Sequence, residues 1–200
     1  MQDLPINEIF YSLQGEGGQT GLPMIFVRIA GCNLRCPYCD TDFLRGKLMS
    51  LEEILTSLQQ FPSRELLWTG GEPTLLLSDS MVAFFKKAGY KQSIETNGTM
   101  PPPQGIDYIS CSPKPEAFER LTRNFPQGVN EWRFPFGEGI PLPPEIASLP
   151  PAQHYFLSPI LDPHKTISAQ SSALQSCIAY VLEHPQWKMS VQTHKLVGFQ

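Results

Sequence analysis

Short runs rich in apolar and β-branched residues recur along the 200-residue chain, each closed by glycine, proline or a polar cluster. The runs at 24–30, 65–68, 92–96, 107–111, 131–134, 154–157 and 189–192 are too short for helices and read as strands. Between them, apolar positions shift to helical spacing. In 51–60, Leu51, Ile54, Leu55 and Leu58 share one face, and Ser50-Leu51-Glu52-Glu53 has the form of a capping box. Further helices are expected at 80–87, stopped by Gly89, and at 116–124 and 169–183. The segment at 6–18 reads as a hairpin with a glycine-rich turn.

Strands alternating with helices describe a parallel α/β sheet or barrel. The linker 98–107 is too short and too proline-rich for a crossover helix, and 137–152 has no clear one either. The expected fold class is therefore α/β: an incomplete, open (βα)6-type partial TIM barrel with six or seven strands and about four helices. There is no internal repeat, and 1–200 suits one domain.

Nearly every polar or glycine-rich cluster falls just past the carboxyl end of an expected strand: 31–41, 69–73, 95–98, 112–114, 158–159 and 192–195. In α/β folds that end carries function. Some members are ambiguous. Glycines 15, 17 and 18 bracket Gln14 and Glu16, which suits a backbone approaching a ligand or an ordinary surface turn. Arg28 interrupts an apolar strand and needs an anion, either a structural carboxylate or a substrate's. Asp40, Thr41 and Asp42 could serve a hard cation or simply polarise a turn. Thr69-Gly70-Gly71-Glu72-Pro73 ends a strand with backbone accessible to a ligand.

Composition narrows the options. A net charge of −4 gives no electrostatic case for nucleic acid or an anionic membrane. No stretch approaches the ~18 apolar residues of a membrane span. The first residues, Met1-Gln2-Asp3-Leu4-Pro5, lack a basic and then apolar leader, so a cytoplasmic location is expected.

Five cysteines change the picture most. Cys32, Cys36 and Cys39 lie in the spacing C-x3-C-x2-C, whereas Cys111 and Cys177 fall inside a strand and a helix and read as core thiols. Three thiolates on one loop can hold three corners of a cubane iron–sulfur cluster and leave the fourth iron open to a small molecule. A zinc site usually closes four ligands with a second pair, which is missing here. The spacing favours the open cluster; zinc stays the alternative.

Cys32-x3-Cys36-x2-Cys39 followed one βα unit later by Gly70-Gly71-Glu72-Pro73 resembles the radical S-adenosylmethionine superfamily. A narrower set resembles the 7-carboxy-7-deazaguanine synthase family: Ser12-Leu13-Gln14-Gly15-Glu16-Gly17, Phe26-Val27-Arg28, Cys39-Asp40-Thr41, Glu95-Thr96-Asn97-Gly98, Ser112-Pro113-Lys114 and Gln192-Thr193-His194-Lys195. The resemblance implies a single radical-enzyme core domain whose C-terminal extension closes the pocket. It implies a [4Fe-4S] cluster, S-adenosyl-L-methionine and Mg2+ as cofactors. It also implies a flavodoxin or ferredoxin as electron donor, and a homodimer.

The implied reaction converts 6-carboxy-5,6,7,8-tetrahydropterin to 7-carboxy-7-deazaguanine with loss of ammonia, on the route to queuosine and other 7-deazapurines. Hydrogen abstraction by a 5′-deoxyadenosyl radical would start it, and the hydrogen would later return. By the same resemblance, Tyr38, Asp40, Gly70, Gly71, Glu72, Gly98, Ser112, Pro113, Lys114 and Ser158 would meet S-adenosylmethionine. Thr41 would bind Mg2+. Leu13, Gln14, Gly15, Glu16, Arg28, Thr96, His194 and the C-terminal Gln200 would meet the pterin.

Two rivals stand. A glycyl-radical activating enzyme shares the cluster motif but acts on a polypeptide, and a non-catalytic module would hold zinc. Whether Arg28 and Thr41 face the same cavity as the cysteines separates the first of these from the synthase.

Overall fold

The protein is represented by a computed structural model that describes residues 3–39, 41–161 and 171–199. In chain order it comprises β1 (Leu4–Leu13), β2 (Pro23–Ile29), β3 (Lys47–Met49), α1 (Leu51–Leu58), β4 (Glu65–Gly70), α2 (Asp79–Lys87) and β5 (Lys91–Thr96). There follow β6 (Tyr108–Cys111), α3 (Leu121–Asn124), β7 (Val129–Phe136), β8 (Ala152–Pro159), α4 (Ser171–Glu183), β9 (Lys188–Met189) and α5 (Thr193–Val197). One nine-stranded sheet runs β3-β1-β2-β4-β5-β6-β7-β8-β9 and does not close on itself.

All seven expected strands are present, and consecutive pairs from β2 through β9 are parallel. The open α/β architecture is thus as the alternating pattern implied. The sheet also has two strands outside that set. β1 forms the first arm of the expected hairpin and pairs antiparallel with β2, and β3 adds to its other edge. The last strand is shorter than expected, and residues 193–197 form a helix instead. Residues 116–120 belong to a 3-10 turn that precedes the short α3.

The helices begin where their caps dictate. Ser50 Oγ accepts from Glu53 N (3.2 Å) while Glu53 Oε2 accepts from Ser50 N (2.7 Å), so two otherwise orphaned donors at the start of α1 are satisfied. Ser78 accepts from Met81 N at the start of α2.

The two faces of the sheet differ, and period-2 alternation sets the difference. One face carries Ile25, Val27, Ile29, Leu66, Trp68 and Ile94, buried with α1 and α2; farther along it carries Trp132, Phe134 and Leu157, buried with Cys177 of α4. The opposite face carries Phe26, Arg28, Thr69, Glu95, Arg133, Pro135 and Ser158, all lining a cavity. The chain thus builds its core outside the curved sheet and its chemistry inside it. Phe85, fully buried edge-on to Trp68 with ring centroids 5.1 Å apart, is central to the outer core. Phe85→Ala is expected to destabilise the protein by about 3–5 kcal/mol in urea unfolding of the cluster-free chain.

Candidate active site

The cavity has a volume of about 680 Å3 and lies at the carboxyl ends of the parallel strands. Its wall contains Cys32, Cys36 and Cys39 together with Arg28 and Thr41. Also in the wall are Leu13, Gln14, Gly15, Glu16, Tyr38, Gly70, Gly71, Thr96, Ser112, Lys114, Ser158 and His194. Residues separated by up to 181 positions are therefore gathered in one place. Asp40 and Gln200 lie outside the described residues. Glu72, Gly98 and Pro113 do not line the cavity; the first two support its wall.

The cysteine loop leaves β2 and is shaped by short-range contacts. Gly31 N donates to Phe43 O (2.8 Å) across its base, and Cys39 N donates to Cys36 O (3.1 Å) in its tip. Asn33 ties the loop to the end of β5: Asn97 Nδ2 donates to Asn33 Oδ1 (3.0 Å), and Asn33 Nδ2 to Thr99 Oγ1 (2.8 Å). Cys32 Sγ accepts from Leu34 N at 3.4 Å. All three thiols are unbridged; Cys32 and Cys36 are half-buried and Cys39 is exposed. Burial pushes the Cys36 thiol up, and the Lys114 ammonium pulls it down.

Cys32, Cys36 and Cys39 stand on one loop in one wall of the cavity, a set of three thiolates that could serve three irons of a cubane. The donor set fits a cluster. Among the described residues Ser158 Oγ, in this wall, is buried without a hydrogen-bond partner, which suits contact with a polar ligand.

Backbone crowding explains the paired glycines after β4. Gly71 N donates to Ile29 O and Glu72 N to Gly31 O (both 2.9 Å), which sews the segment to the root of the cysteine loop. A Cβ on Gly71 would overlap the Gly31 carbonyl, and Gly70 adopts φ +116°. An ammonium only donates, so the carbonyl oxygens are the backbone groups able to receive one here.

The Glu72 carboxylate is fully buried and accepts from Thr74 N, Thr74 Oγ1, Thr96 Oγ1 and Asn97 N at 2.6–3.0 Å. It fastens the ends of β4 and β5 together. Gly98, with φ +84°, packs against Cys111, Leu121 and Ala117, and its carbonyl accepts from Asn124 Nδ2.

Arg28 has the structural carboxylate partner that one reading of its charge requires. It sits opposite Glu8 in the β1–β2 ladder, and its Nε donates to Glu8 Oε1 at 2.7 Å. The guanidinium lies 5.7 Å from the centroid of Phe10, itself stacked on Phe26 at 4.7 Å. Glu8 and the stacked rings fix the plane of the guanidinium, whose Nη groups can still pair with a second carboxylate. Lys114, across the cavity lining, donates to Ser112 O and Oγ and lies 6.0 Å from the Tyr38 ring centroid. Desolvation lowers its pKa, a tendency opposed first by Cys36.

One cluster escaped the sequence reading. Arg133 of β7, only 5% exposed, pairs with Glu95 Oε1 (2.8 Å), Glu16 Oε2 (3.2 Å) and Glu131 Oε1 (3.9 Å). Burial disfavours the guanidinium charge, but Glu16, Glu95 and Glu131 together hold its pKa above the ordinary value. Burial would likewise raise the Glu95 carboxyl; Arg133, helped by hydrogen bonds from Thr69 and Gln14, holds it below the usual range. The available signal was alternation: Glu131-Trp132-Arg133-Phe134 puts two charges on one face of a strand whose other face is aromatic, and buried charges must be paired.

The loop after β1 lies on this cluster. Gly18 N donates to Glu131 Oε2 (2.7 Å), Gly17 N to Ser190 Oγ (2.8 Å), and Gly15 O accepts from Thr193 N (2.9 Å). Gly17 has φ +68°, and a Cβ there would overlap the Glu131 carboxylate. Gly21 has φ +86° with open space around it. Gly17→Ala is therefore expected to lower stability and raise KM, while Gly21→Ala incurs only backbone strain of about 1–3 kcal/mol. Thermal unfolding and substrate titration of the two variants measure the difference.

Residues 26–125, half of the chain, match the Radical SAM superfamily, and the chain belongs to it. Membership implies a [4Fe-4S] cluster and S-adenosylmethionine. Within the superfamily the chain belongs to the 7-carboxy-7-deazaguanine synthase family. It is 42% identical to the synthase of Bacteroides thetaiotaomicron, with 98% of each chain covered. It is 38% identical to that of Haemophilus influenzae over 98% of this chain and 93% of the relative. The crystal structure of QueE from Escherichia coli superposes with a TM-score of 0.68 at 26% identity, covering 95% of this chain and 94% of that one.

Proposed function

We infer that the protein is a radical S-adenosylmethionine enzyme that converts 6-carboxy-5,6,7,8-tetrahydropterin to 7-carboxy-7-deazaguanine with release of ammonia, in 7-deazapurine biosynthesis. One observation carries the reading beyond the family: Arg28, Thr41 and the Gln14–Glu16 loop line the same cavity as Cys32, Cys36 and Cys39. An activating enzyme for a protein substrate has no need of a carboxylate clamp and a hydrogen-bonding loop around one cavity of this size. Family membership also counts against a zinc module.

When bound, the cluster and S-adenosylmethionine supply one-electron cleavage and hydrogen-atom abstraction; the chain's own groups position and shield. Cys32, Cys36 and Cys39 would hold three irons. Carbonyls at Gly70 and Gly71 would receive the amino group of S-adenosylmethionine, with Tyr38, Ser112, Lys114 and Ser158 around the remainder. Arg28 would hold the substrate carboxylate through its Nη groups. Gln14 and Glu16 would hydrogen-bond the pterin, with backbone at Leu13 and Gly15 and the side chains of Thr96 and His194 completing that wall.

Thr41 would bind Mg2+, with substrate and water filling its shell, and the neighbouring Asp42 carboxylate adds negative charge at that wall. The segment after β9 would close the pocket as an extension of a single core domain. The same reading carries a flavodoxin or ferredoxin donor, a homodimer and a cytoplasmic location. Among the described residues no helix is long and apolar enough to cross a membrane.

Metal analysis of anaerobically purified protein tests the centre. The expected result is iron and sulfide approaching about four of each per chain. Zinc without sulfide would overturn the reading.

A further inference from the structure

The charges buried behind Gln14 are more numerous than pairing alone requires. Three carboxylates surround one buried guanidinium at the cavity wall, which leaves surplus negative charge there, and Glu131, the most buried of the three, accepts hydrogen bonds at both oxygens. The partners differ for each carboxylate. Glu95 accepts from Gln14 Nε2 (3.2 Å) and Thr69 Oγ1 (2.9 Å), at the end of β5. Glu131 accepts from Gly18 N, Ser110 Oγ and Tyr108 OH, under the turn of the hairpin. Glu16 accepts from Gln192 Nε2 (2.7 Å), and Gln192 Oε1 accepts from Lys195 Nζ (2.7 Å), in the C-terminal segment.

Arg133 thus bridges three parts of the wall that share no strand. The Gln14 amide is specified at both ends: Nε2 faces Glu95, and Oε1 accepts from Glu16 N at 3.1 Å. Its orientation, like that of Glu16, depends on the guanidinium that fixes both carboxylates. Arg133 Nη2 donates to Glu95 Oε1 (2.8 Å), while Nη1 lies 3.2 Å from Glu16 Oε2 as an ion pair without hydrogen-bond geometry. Two nitrogens of one guanidinium thus reach both carboxylates, whereas an ammonium is a single point charge.

We propose that Arg133 is the positioning residue of the substrate pocket: by bridging Glu95 and Glu16 it sets the hydrogen-bonding edge formed by Gln14 and Glu16, and it latches the 190–195 segment onto the hairpin loop. This rests on the pterin reading above. Arg133 sits among the carboxylates behind that edge, so its effect belongs to substrate capture and not to generation of the radical.

The test uses reconstituted Arg133→Lys and Gln192→Leu beside the wild type. Gln192→Leu removes the link from Glu16 to the C-terminal segment, together with the acceptor for Lys195 Nζ, and leaves the Arg133 pairs intact, so it remains informative if changes at Arg133 impair folding. Arg133→Lys is expected to raise KM for the carboxytetrahydropterin by about 10–100-fold with kcat at saturation and iron content unchanged. Gln192→Leu is expected to shift KM the same way by a smaller factor. Both are expected to speed tryptic cleavage after Lys195 in the absence of substrate.

Unchanged KM and cleavage in both variants, with wild-type turnover intact, would overturn the proposal. So would a loss confined to kcat. No pterin turnover by a cluster-loaded wild type would instead overturn the function on which the proposal rests, and the cleavage rates would then decide the latch by themselves.

Discussion

Cys36→Ala is expected to leave a folded protein that yields no detectable 7-carboxy-7-deazaguanine. The cysteine loop is shaped by groups other than the thiols: the Gly31–Phe43 backbone bond and the side-chain contacts of Asn33 with Asn97 and Thr99. The outer core lies on the opposite face of the sheet. Removing one thiolate therefore spares the fold but leaves two ligands for a cubane that needs three from the protein. Changes to outer-shell partners of metal ligands already cost 10–100-fold, so loss of a ligand should exceed roughly 100-fold. Iron content and product mass spectrometry on the same anaerobic sample measure it. Native-like circular dichroism with product at wild-type levels would contradict the assignment of the three cysteines.

Arg28→Ala is expected to damage substrate capture while sparing the cluster. Truncating one partner of a buried charge pair costs about 2–5 kcal/mol. The Arg28 side chain is 21% exposed, which places the loss at the lower end, a KM increase of roughly 30–150-fold. Arg28→Lys should recover little, because an ammonium cannot hold Glu8 and a second carboxylate in one plane. Glu8→Gln separates the two readings of Arg28. If the Glu8 pair is all that Arg28 provides, the two variants should be equally harmful. If the guanidinium also clamps the substrate, Glu8→Gln should cost far less, because the cation survives. KM from product formation, with iron content as the control, decides between them.

The parts of this molecule legible in sequence were those written in neighbouring residues. Apolar runs closed by glycine or proline marked the seven parallel strands. The missing crossover helices at 98–107 and 137–152 followed from proline content and length, which foretold an open sheet. β3 was not legible because three residues carry no period, and 193–197 was not because Gln192-Thr193-His194-Lys195 shows no apolar spacing. The cysteine loop, the paired glycines and Arg28 each announced themselves locally, and all of them meet in the cavity.

The Arg133 cluster is the opposite case. Two of its three partners lie 38 and 117 positions away, and only the sheet order brings β5, β7 and the loop after β1 together. Glu72 illustrates the same limit in a single residue. Its motif points to a ligand, while its carboxylate is occupied by four donors from the ends of β4 and β5.

The central claim is that one cavity joins a three-cysteine cluster to a pterin pocket. An anaerobic turnover assay tests it most directly, with reconstituted protein, dithionite, S-adenosylmethionine, Mg2+ and 6-carboxy-5,6,7,8-tetrahydropterin, read by mass spectrometry. The expected result is 7-carboxy-7-deazaguanine from the wild type and none from Cys36→Ala. A fully loaded wild-type cluster that forms no such product would contradict it.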